Sequence, residues 1–288
     1  MKIMGNDLSA KPVSPEMETV IRRALAEDRA DRDITSLATI PVNQLGHARI
    51  SAKAEGVLSG TVIARDVFAA IDGNLHQEWL KTNGSEIRSG EVICSLRGRL
   101  RSILTAERTA LNFLQHLSGI ATSTRRYVKA IQDTGCQIAD TRKTTPGLRV
   151  WEKQAVLHGG GVNHRMDLAS GMLVKENHIR AAGSLSKAII ACRRNSDVWL
   201  EVECETLDEV EEAVACKPDM ILLDNMSVEQ VAKARQLVPR TIILEASGGI
   251  TLENVRQYAE TGVNRLAIGA ITHSAPALDL SMQVVNVE

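Results

Sequence analysis

The feature that most constrains this chain is a series of short apolar segments, each followed closely by a helix start, that fills its second half. The segments read CQIAD, MLVKE, VWLEVE, MILLD, TIILEA and RLAIGA. Thr206-Leu-Asp-Glu209 and Ser227-Val-Glu-Gln230 fit the capping-box pattern, in which the first and fourth residues satisfy each other's backbone N–H groups; Thr251-Leu-Glu-Asn254 is a near miss. Strand–helix alternation of this kind implies parallel strands wound right-handedly, in an open sheet or a barrel. The strands end in order on Asp140, Lys175, Glu203, Asp224, Ser247-Gly248-Gly249 and Gly269, and the last four ends recur every 21 to 23 residues. A polar residue or glycine at each strand's C-terminal end is where a β/α barrel carries its active site. Six such strands, or seven, are fewer than the usual eight. The expected α/β fold is therefore an open or incomplete barrel.

Upstream the texture differs. Residues 1–13 read as a loose arm, and Ser14-Pro15-Glu16 as a helix start with Met17, Val20, Ile21, Ala24 and Leu25 on one apolar stripe. That helix is expected to end in the turn-like EDRADRDITS. From about 47 to 104, short β-like runs punctuated by Gly84, Gly90 and Gly98 predict a small α/β domain with a largely antiparallel sheet. Thr105 is read as the cap of an apolar-striped helix that stops at Gly119, with a further helix from about Thr122 to Asp133.

Composition excludes several classes. The net charge of −1 argues against a nucleic-acid or membrane-surface binder, and three Trp, two Tyr and two Phe are too few for base-stacking platforms. The five cysteines are widely spaced with no Cys-x-x-Cys pair, which suits reduced thiols in a cytoplasm. No apolar leader and no membrane-length apolar run is present, so a soluble, cytoplasmic protein is expected.

Charge is concentrated between Asp140 and Ile179. Arg142, Lys143, Arg149, Lys153, Arg165 and Lys175 gather there with three histidines, beside glycines and short apolar runs. Cations in a partly dry place need anionic partners, and the local acids are too few, so the missing anions are expected to arrive with a substrate. Arg142, Lys143, His164, Arg165 and Lys175 form a cationic half-site, which Arg108 of the earlier helix joins, suited to a ligand with two or more carboxylates and a phosphate. Glu203 and Asp224, at adjacent strand ends, form an acidic half that can bind Mg²⁺ or sugar hydroxyls. Glu201 and Glu205 are read as solvated. Ser247-Gly248-Gly249, Gly269-Ala270 and Gly159-Gly160-Gly161 are candidate phosphate turns, where small residues let backbone N–H groups approach an anion.

At this point DTRKTTPGLR, GGGVNHR, LVKENHI, ERTALNFLQHLSGIAT, LLDN, EASGGIT and GAITHSAPALDLSM together resemble the quinolinate phosphoribosyltransferase family, from about residue 15 to the end. The resemblance implies conversion of quinolinate and phosphoribosyl diphosphate into nicotinate mononucleotide, diphosphate and CO₂, with Mg²⁺, in de novo NAD synthesis. It implies an N-terminal α/β sandwich at 1–118, joined by the tail 275–288, and an open, incomplete α/β barrel of seven or so strands at 119–274. It assigns Thr141, Arg142, Lys143, His164, Arg165 and Lys175 to the pyridine dicarboxylate. Arg108 would come from the neighbouring subunit of a homodimer, or of a higher oligomer. Lys143, Glu203, Asp224, Ser247, Gly248, Gly249, Ile268, Gly269, Ala270 and His273 fall on phosphoribosyl diphosphate. Lys143, Glu203 and Asp224 take the catalytic roles, the last two also holding the metal, directly or through water. Arg32, where the family often has glycine, and Trp151, in place of an aliphatic residue, are departures that bear on local packing. Three other readings compete: a related phosphoribosyltransferase acting on nicotinate or another acid, a Schiff-base aldolase built on Lys175, and a silent ligand-binding protein.

Overall fold

The computed structural model describes residues 15–287; the expected arm and the Ser14 cap lie outside them. The chain divides into two compact units, residues 1–122 with 276–288, and residues 123–275.

In the first unit α1 (Pro15–Glu27) buries Met17, Ile21 and Leu25 along its apolar stripe. The segment expected to be a plain turn instead makes one 3₁₀ turn, Ala30–Arg32, and then α2 (Ile34–Thr39). The left-handed residue of that turn is Arg29, not Arg32, so position 32 has no need of glycine. Asp33 caps α2: its Oδ1 accepts from the Ser36 N–H at 3.0 Å, and its Oδ2 accepts from Thr105 Oγ1 at 3.0 Å. These bonds, the Ser36 ones first, hold its carboxyl below the usual aspartate range. Asp33→Ala should lower stability by about 1 kcal/mol at neutral pH. Because the folded pKa is depressed, the cap's contribution is present above the ordinary aspartate pKa and lost as pH falls through the folded one. Thermal unfolding should therefore separate the two proteins at neutral pH and bring them together in acid.

The strands β1 (Leu45–Ala52), β2 (Gly56–Val57), β3 (His76–Trp79), β4 (Glu86–Ile87) and β5 (Val92–Arg99) enclose α3 (Thr61–Ile71) in sequence. The main sheet is antiparallel, with β1 between the C-terminal strand Leu280–Val287 and β5, and β3 at the far edge. Along β1, Ala48, Ile50 and Ala52 are buried and alternate with exposed or half-exposed residues, the period of a sheet with one face in the core. Ile63, Ala64, Val67 and Phe68 of α3 are buried with them.

One expectation fails here. The helix read as starting at Thr105 and stopping at Gly119 is a single element of 31 residues, α4 (Leu100–Ala130). It starts directly after β5, where the Leu100 N–H is satisfied by Gln44 O at 2.9 Å. Gly119 does not end it: a Cβ at that position would collide with the Pro276 carbonyl, so the missing side chain serves a close backbone approach.

The second unit contains the six segments seen in the sequence, as β6 (Gln137–Ala139), β7 (Met172–Val174), β8 (Leu200–Cys204), β9 (Met220–Asp224), β10 (Ile243–Ser247) and β11 (Arg265–Ala267). All pair in parallel, in the order β6-β11-β10-β9-β8-β7. Val162 bridges Ala139 on the other side of β6, a one-residue remnant of a seventh strand, and the barrel stays open there. Helices α5 (Arg149–His158), α6 (Glu176–Ala182), α7 (Leu185–Asn195), α8 (Leu207–Cys216), α9 (Val228–Leu237), α10 (Val255–Glu260) and α11 (Ala270–His273) connect the strands. Both expected capping boxes form, at Thr206/Glu209 and Ser227/Gln230. At the near miss the helix begins later, at Val255, and Asn254 Oδ1 accepts from the Thr251 N–H at 2.8 Å.

Candidate active site

The register of the parallel sheet decides which side chains share the barrel interior. Glu203 pairs with Leu222, Leu222 with Glu245, Glu245 with Arg265, Asp224 with Ser247, and Ser247 with Ala267. Because strands alternate with period two, these residues and Glu201 lie on one face, and Leu200, Val202 and Cys204 on the other, under the helices. The inward face meets the loops after β6 and before β7 in a cavity of about 400 Å³. Thr141, Arg142 and Lys143 line it from one side, His164, Arg165 and Lys175 from another, and Glu203, Asp224 and Ser247 from the strand ends. Nine of the expected site residues, from stretches a hundred residues apart, thus share one hollow, while Arg108, Gly248, Gly249, Ile268, Gly269, Ala270 and His273 are not among its lining.

Its cationic wall is held from behind by a buried ion pair. Asp140 and Lys153 are both fully buried and joined by a hydrogen bond. Asp140 also accepts from the His164 N–H at 2.9 Å and from the Asn163 side-chain amide, while Lys153 donates to His164 O at 3.1 Å. Every group in this network has a partner, as buried charge requires. Burial pushes the Asp140 carboxyl up and the Lys153 amine down, in each case against attraction by the other. Lys153, counted above among cations awaiting an anion, already has one.

Arg142, Lys143 and Arg165 differ. Among the described residues none has a carboxylate within ion-pair distance. Arg165 donates to Gly171 O at 3.0 Å, and its pKa is lowered by burial first and then by the neighbouring Arg142. Lys143 is anchored through its backbone, its carbonyl accepting from Thr272 Oγ1 at 2.8 Å and its N–H donating to Thr141 Oγ1 at 3.0 Å. Lys175 is paired with Glu203 across the cavity mouth.

His164 has both ring nitrogens engaged. Nδ1 accepts from the Arg165 N–H at 2.8 Å, so the ring proton sits on Nε2, which donates to Glu201 Oε2 at 2.7 Å. Burial is the main cause that lowers its pKa and keeps the ring neutral. Glu201 was expected in solvent. It is instead fully buried, because an inward residue one step deeper than Glu203 lies below the cavity mouth. Glu205 is exposed as expected. Glu245, a cavity-lining acid that sequence reading passed over, is also fully buried. The signal was present: an acid in the middle of the apolar run TIILEA, in phase with Ser247. Burial raises both carboxyls to about 8.

Two sets of side chains offer donors for a metal ion. His164, Glu201 and Glu245 have ligand atoms within 4.8 Å of one another. A metal there would need the Nε2 lone pair, and that nitrogen carries the proton, so this set does not fit. Glu203 and Asp224 are two cavity-lining carboxylates at adjacent strand ends, with Asp224 also accepting from Asn225 Nδ2 at 2.7 Å. Two carboxylates completed by water and phosphate oxygens match how Mg²⁺ is usually held, so this pair fits.

The glycine turns separate into two kinds. Gly248 and Gly249 have φ of 91° and 63°, and a Cβ on Gly248 would collide with Asn225. Gly269 begins α11, and a Cβ there would lie 3.0 Å from the Lys143 side chain and 3.2 Å from the His273 ring. A side chain there would crowd both of those residues at the end of β11. Ile268 is buried beneath, its N–H bonded to Ala139 O at 2.9 Å, while Ala270 is half-buried and His273 exposed. Gly159-Gly160-Gly161 is a helix C-terminus, not a phosphate cradle. Its three N–H groups are bonded to the carbonyls of Ala155, Leu157 and Val156. Arg108 is an exposed residue of α4 in the first unit.

Comparisons with known proteins agree with one another. The N-terminal domain of the quinolinate phosphoribosyl transferase family matches residues 33–118, and its C-terminal domain residues 120–283. A probable nicotinate-nucleotide pyrophosphorylase [carboxylating] of Bacillus subtilis is 42% identical over 271 residues, covering 93% of each chain. A quinolinate phosphoribosyltransferase [decarboxylating] of Nicotiana tabacum is 39% identical, over 93% of this chain and 82% of its own. Among solved structures, the nicotinate-nucleotide pyrophosphorylase of Francisella tularensis superposes with a TM-score of 0.92 at 40% identity, covering 96% of this chain and 98% of that one. The chain belongs to the quinolinate phosphoribosyltransferase family.

Proposed function

We propose that this chain is an enzyme that transfers the phosphoribosyl group of phosphoribosyl diphosphate to quinolinate with loss of CO₂, forming nicotinate mononucleotide in de novo NAD synthesis. One observation carries the reading: Arg142, Lys143 and Arg165 line one cavity with no carboxylate in ion-pair range among the described residues. Like charges crowded in a partly dry hollow are relieved by a ligand with more than one negative group. The relatives above, whose names state this reaction, support it.

Thr141, Arg142, Lys143, Arg165 and Lys175 hold the two carboxylates, with His164 fixing the Arg165 backbone. Glu203, Asp224 and Ser247 face the ribose and its phosphates, with Lys143, Gly248, Gly249, Ile268, Gly269, Ala270 and His273 forming the phosphate rim. Bound at Glu203 and Asp224, Mg²⁺ would supply positive charge for the departing diphosphate. The ring nitrogen attacks C1 of the ribose as the C1–oxygen bond breaks, and diphosphate leaves with that electron pair. The ring, now cationic, accepts the electrons of its bond to the adjacent carboxylate as CO₂ departs, and the resulting carbanion takes a proton from Lys143 or water. No protein nucleophile is needed; alignment and charge stabilisation do the work. Lys175 is half-exposed and paired with Glu203, not held in the apolar pocket that a Schiff-base lysine uses. Arg108 is assigned to the site of a neighbouring subunit, in a homodimer or a larger assembly of such dimers. No helix among the described residues is long and apolar enough to cross a membrane, and we place the enzyme in the cytoplasm.

Purified protein with quinolinate, phosphoribosyl diphosphate and Mg²⁺ should release nicotinate mononucleotide and CO₂ in equal amounts. Nucleotide formed from nicotinate but not from quinolinate would instead establish the monoacid reading.

A further inference from the structure

Beneath the cavity, two buried acids share one histidine. Glu245 is fully buried at the floor, and neither of its carboxyl oxygens has a hydrogen-bond partner. His164 Nε2 lies 3.6 Å from Glu245 Oε1, but its proton is given to Glu201 at 2.7 Å. The protein therefore offers Glu245 no hydrogen bond. An ionised carboxylate with no donor, beside a second buried acid, is far more costly there than a neutral acid.

We propose that Glu245 is a specificity and positioning residue of the diacid site: held as a neutral carboxylic acid, it keeps the floor free of negative charge, and its ionisation weakens the hold on a doubly charged ligand. The inference rests on the reading of the cavity as the quinolinate site. Glu245 shares the cavity lining with His164 and Arg165, which are tied to each other by the Nδ1 bond. A negative Glu245 at the cavity floor would repel the ligand, and the penalty would be greater for two carboxylates than for one.

The groups facing Glu245 come from every neighbouring element. Glu201 faces it from β8, His164 from the segment after Val162, Arg265 from β11, Asp140 from the end of β6, and Cys136 from the start of β6. Leu222 of β9, beside it in register, carries no charge. Burial and the Glu201 charge raise the Glu245 carboxyl, to about 8, while His164 and Arg265 oppose them. Glu245 is thus neutral at pH 7 and charged toward pH 9. A bound dianion disfavours that ionisation further, so binding above pH 8 should take up a proton.

The test is calorimetric titration of quinolinate into the full chain from pH 7 to 9 at constant ionic strength, for wild type and Glu245→Gln. For wild type, Kd should rise toward about tenfold per pH unit above pH ~8, with net proton uptake seen in buffers of different ionisation enthalpy. For Glu245→Gln, which carries a neutral side chain of the same shape, the slope should be clearly shallower than in wild type, what remains belonging to Glu201, whose carboxyl burial also raises to about 8. Nicotinate should show a shallower slope than quinolinate on wild type. A wild-type Kd independent of pH, the same slope in Glu245→Gln, or the absence of proton uptake would each overturn the proposal. If Glu245→Gln does not fold, Glu245→Met, also uncharged, takes its place with the same expected loss of slope. Failure of quinolinate to bind wild type at any pH would overturn the diacid reading itself, which pH-independent binding would not.

Discussion

Arg165→Ala should raise the quinolinate KM by on the order of a hundredfold, about 3 kcal/mol, the scale of removing one member of a desolvated charge pair. The KM for phosphoribosyl diphosphate should change little. The asymmetry follows from placement. Arg165 sits on the loop before β7 with one guanidinium N–H fixed on Gly171 O, leaving the rest of its fork for a ligand carboxylate. The acidic side of the cavity belongs to the ends of β8 to β11, and none of those residues bonds Arg165. Initial-rate kinetics with each substrate varied in turn, backed by calorimetry, measures the split. Unimpaired binding of both ligands by the variant would remove Arg165 from the site.

A second large effect should come from a residue that touches no substrate. Lys153→Met leaves Asp140 as a buried carboxylate without its cation, and loss of one partner of such a pair costs about 3–5 kcal/mol. We expect a marked fall in the urea midpoint and loss of activity. The double variant Asp140→Asn/Lys153→Met removes both charges and should recover part of the stability. It should not recover activity, because the bonds of Asp140 to the His164 N–H and of Lys153 to His164 O set the course of the chain into Arg165. The directions of the pKa shifts say the same: burial disfavours both charged forms, so the pair's contribution is to geometry more than to stability. An unchanged urea midpoint in the single variant would refute this account.

The parts of the molecule differ in how legible they were. All six barrel strands were readable, because β-branched and leucine-rich runs between capping boxes leave little choice of structure. The long helix was misread at both ends. Thr105 looks like a cap and Gly119 like a stop, but one serves as partner to Asp33 and the other makes room for the Pro276 carbonyl. Those roles belong to residues 72 and 157 positions away, and local patterns cannot carry them. The triple glycine was misjudged for the same reason, since a helix end and a phosphate turn use glycine alike until the hydrogen bonds are seen.

By itself the amino-acid sequence determined the strand–helix rhythm, the polar residue at each strand end, and the gathering of cations between Asp140 and Lys175, because short-range periodicity and residue type suffice for these. It could not determine which charges would be paired. The local stretch looked short of acids, yet Glu201 and Glu203 arrive from strand β8 and take His164 and Lys175 as partners. Only the register of the parallel sheet, which fixes the depth at which each inward residue lies, decided that Glu201 is buried while Glu205 meets water. That depth also separates cations already neutralised by the protein from those still open to a ligand, since charge pairing depends on distances in space that the chain's order does not specify.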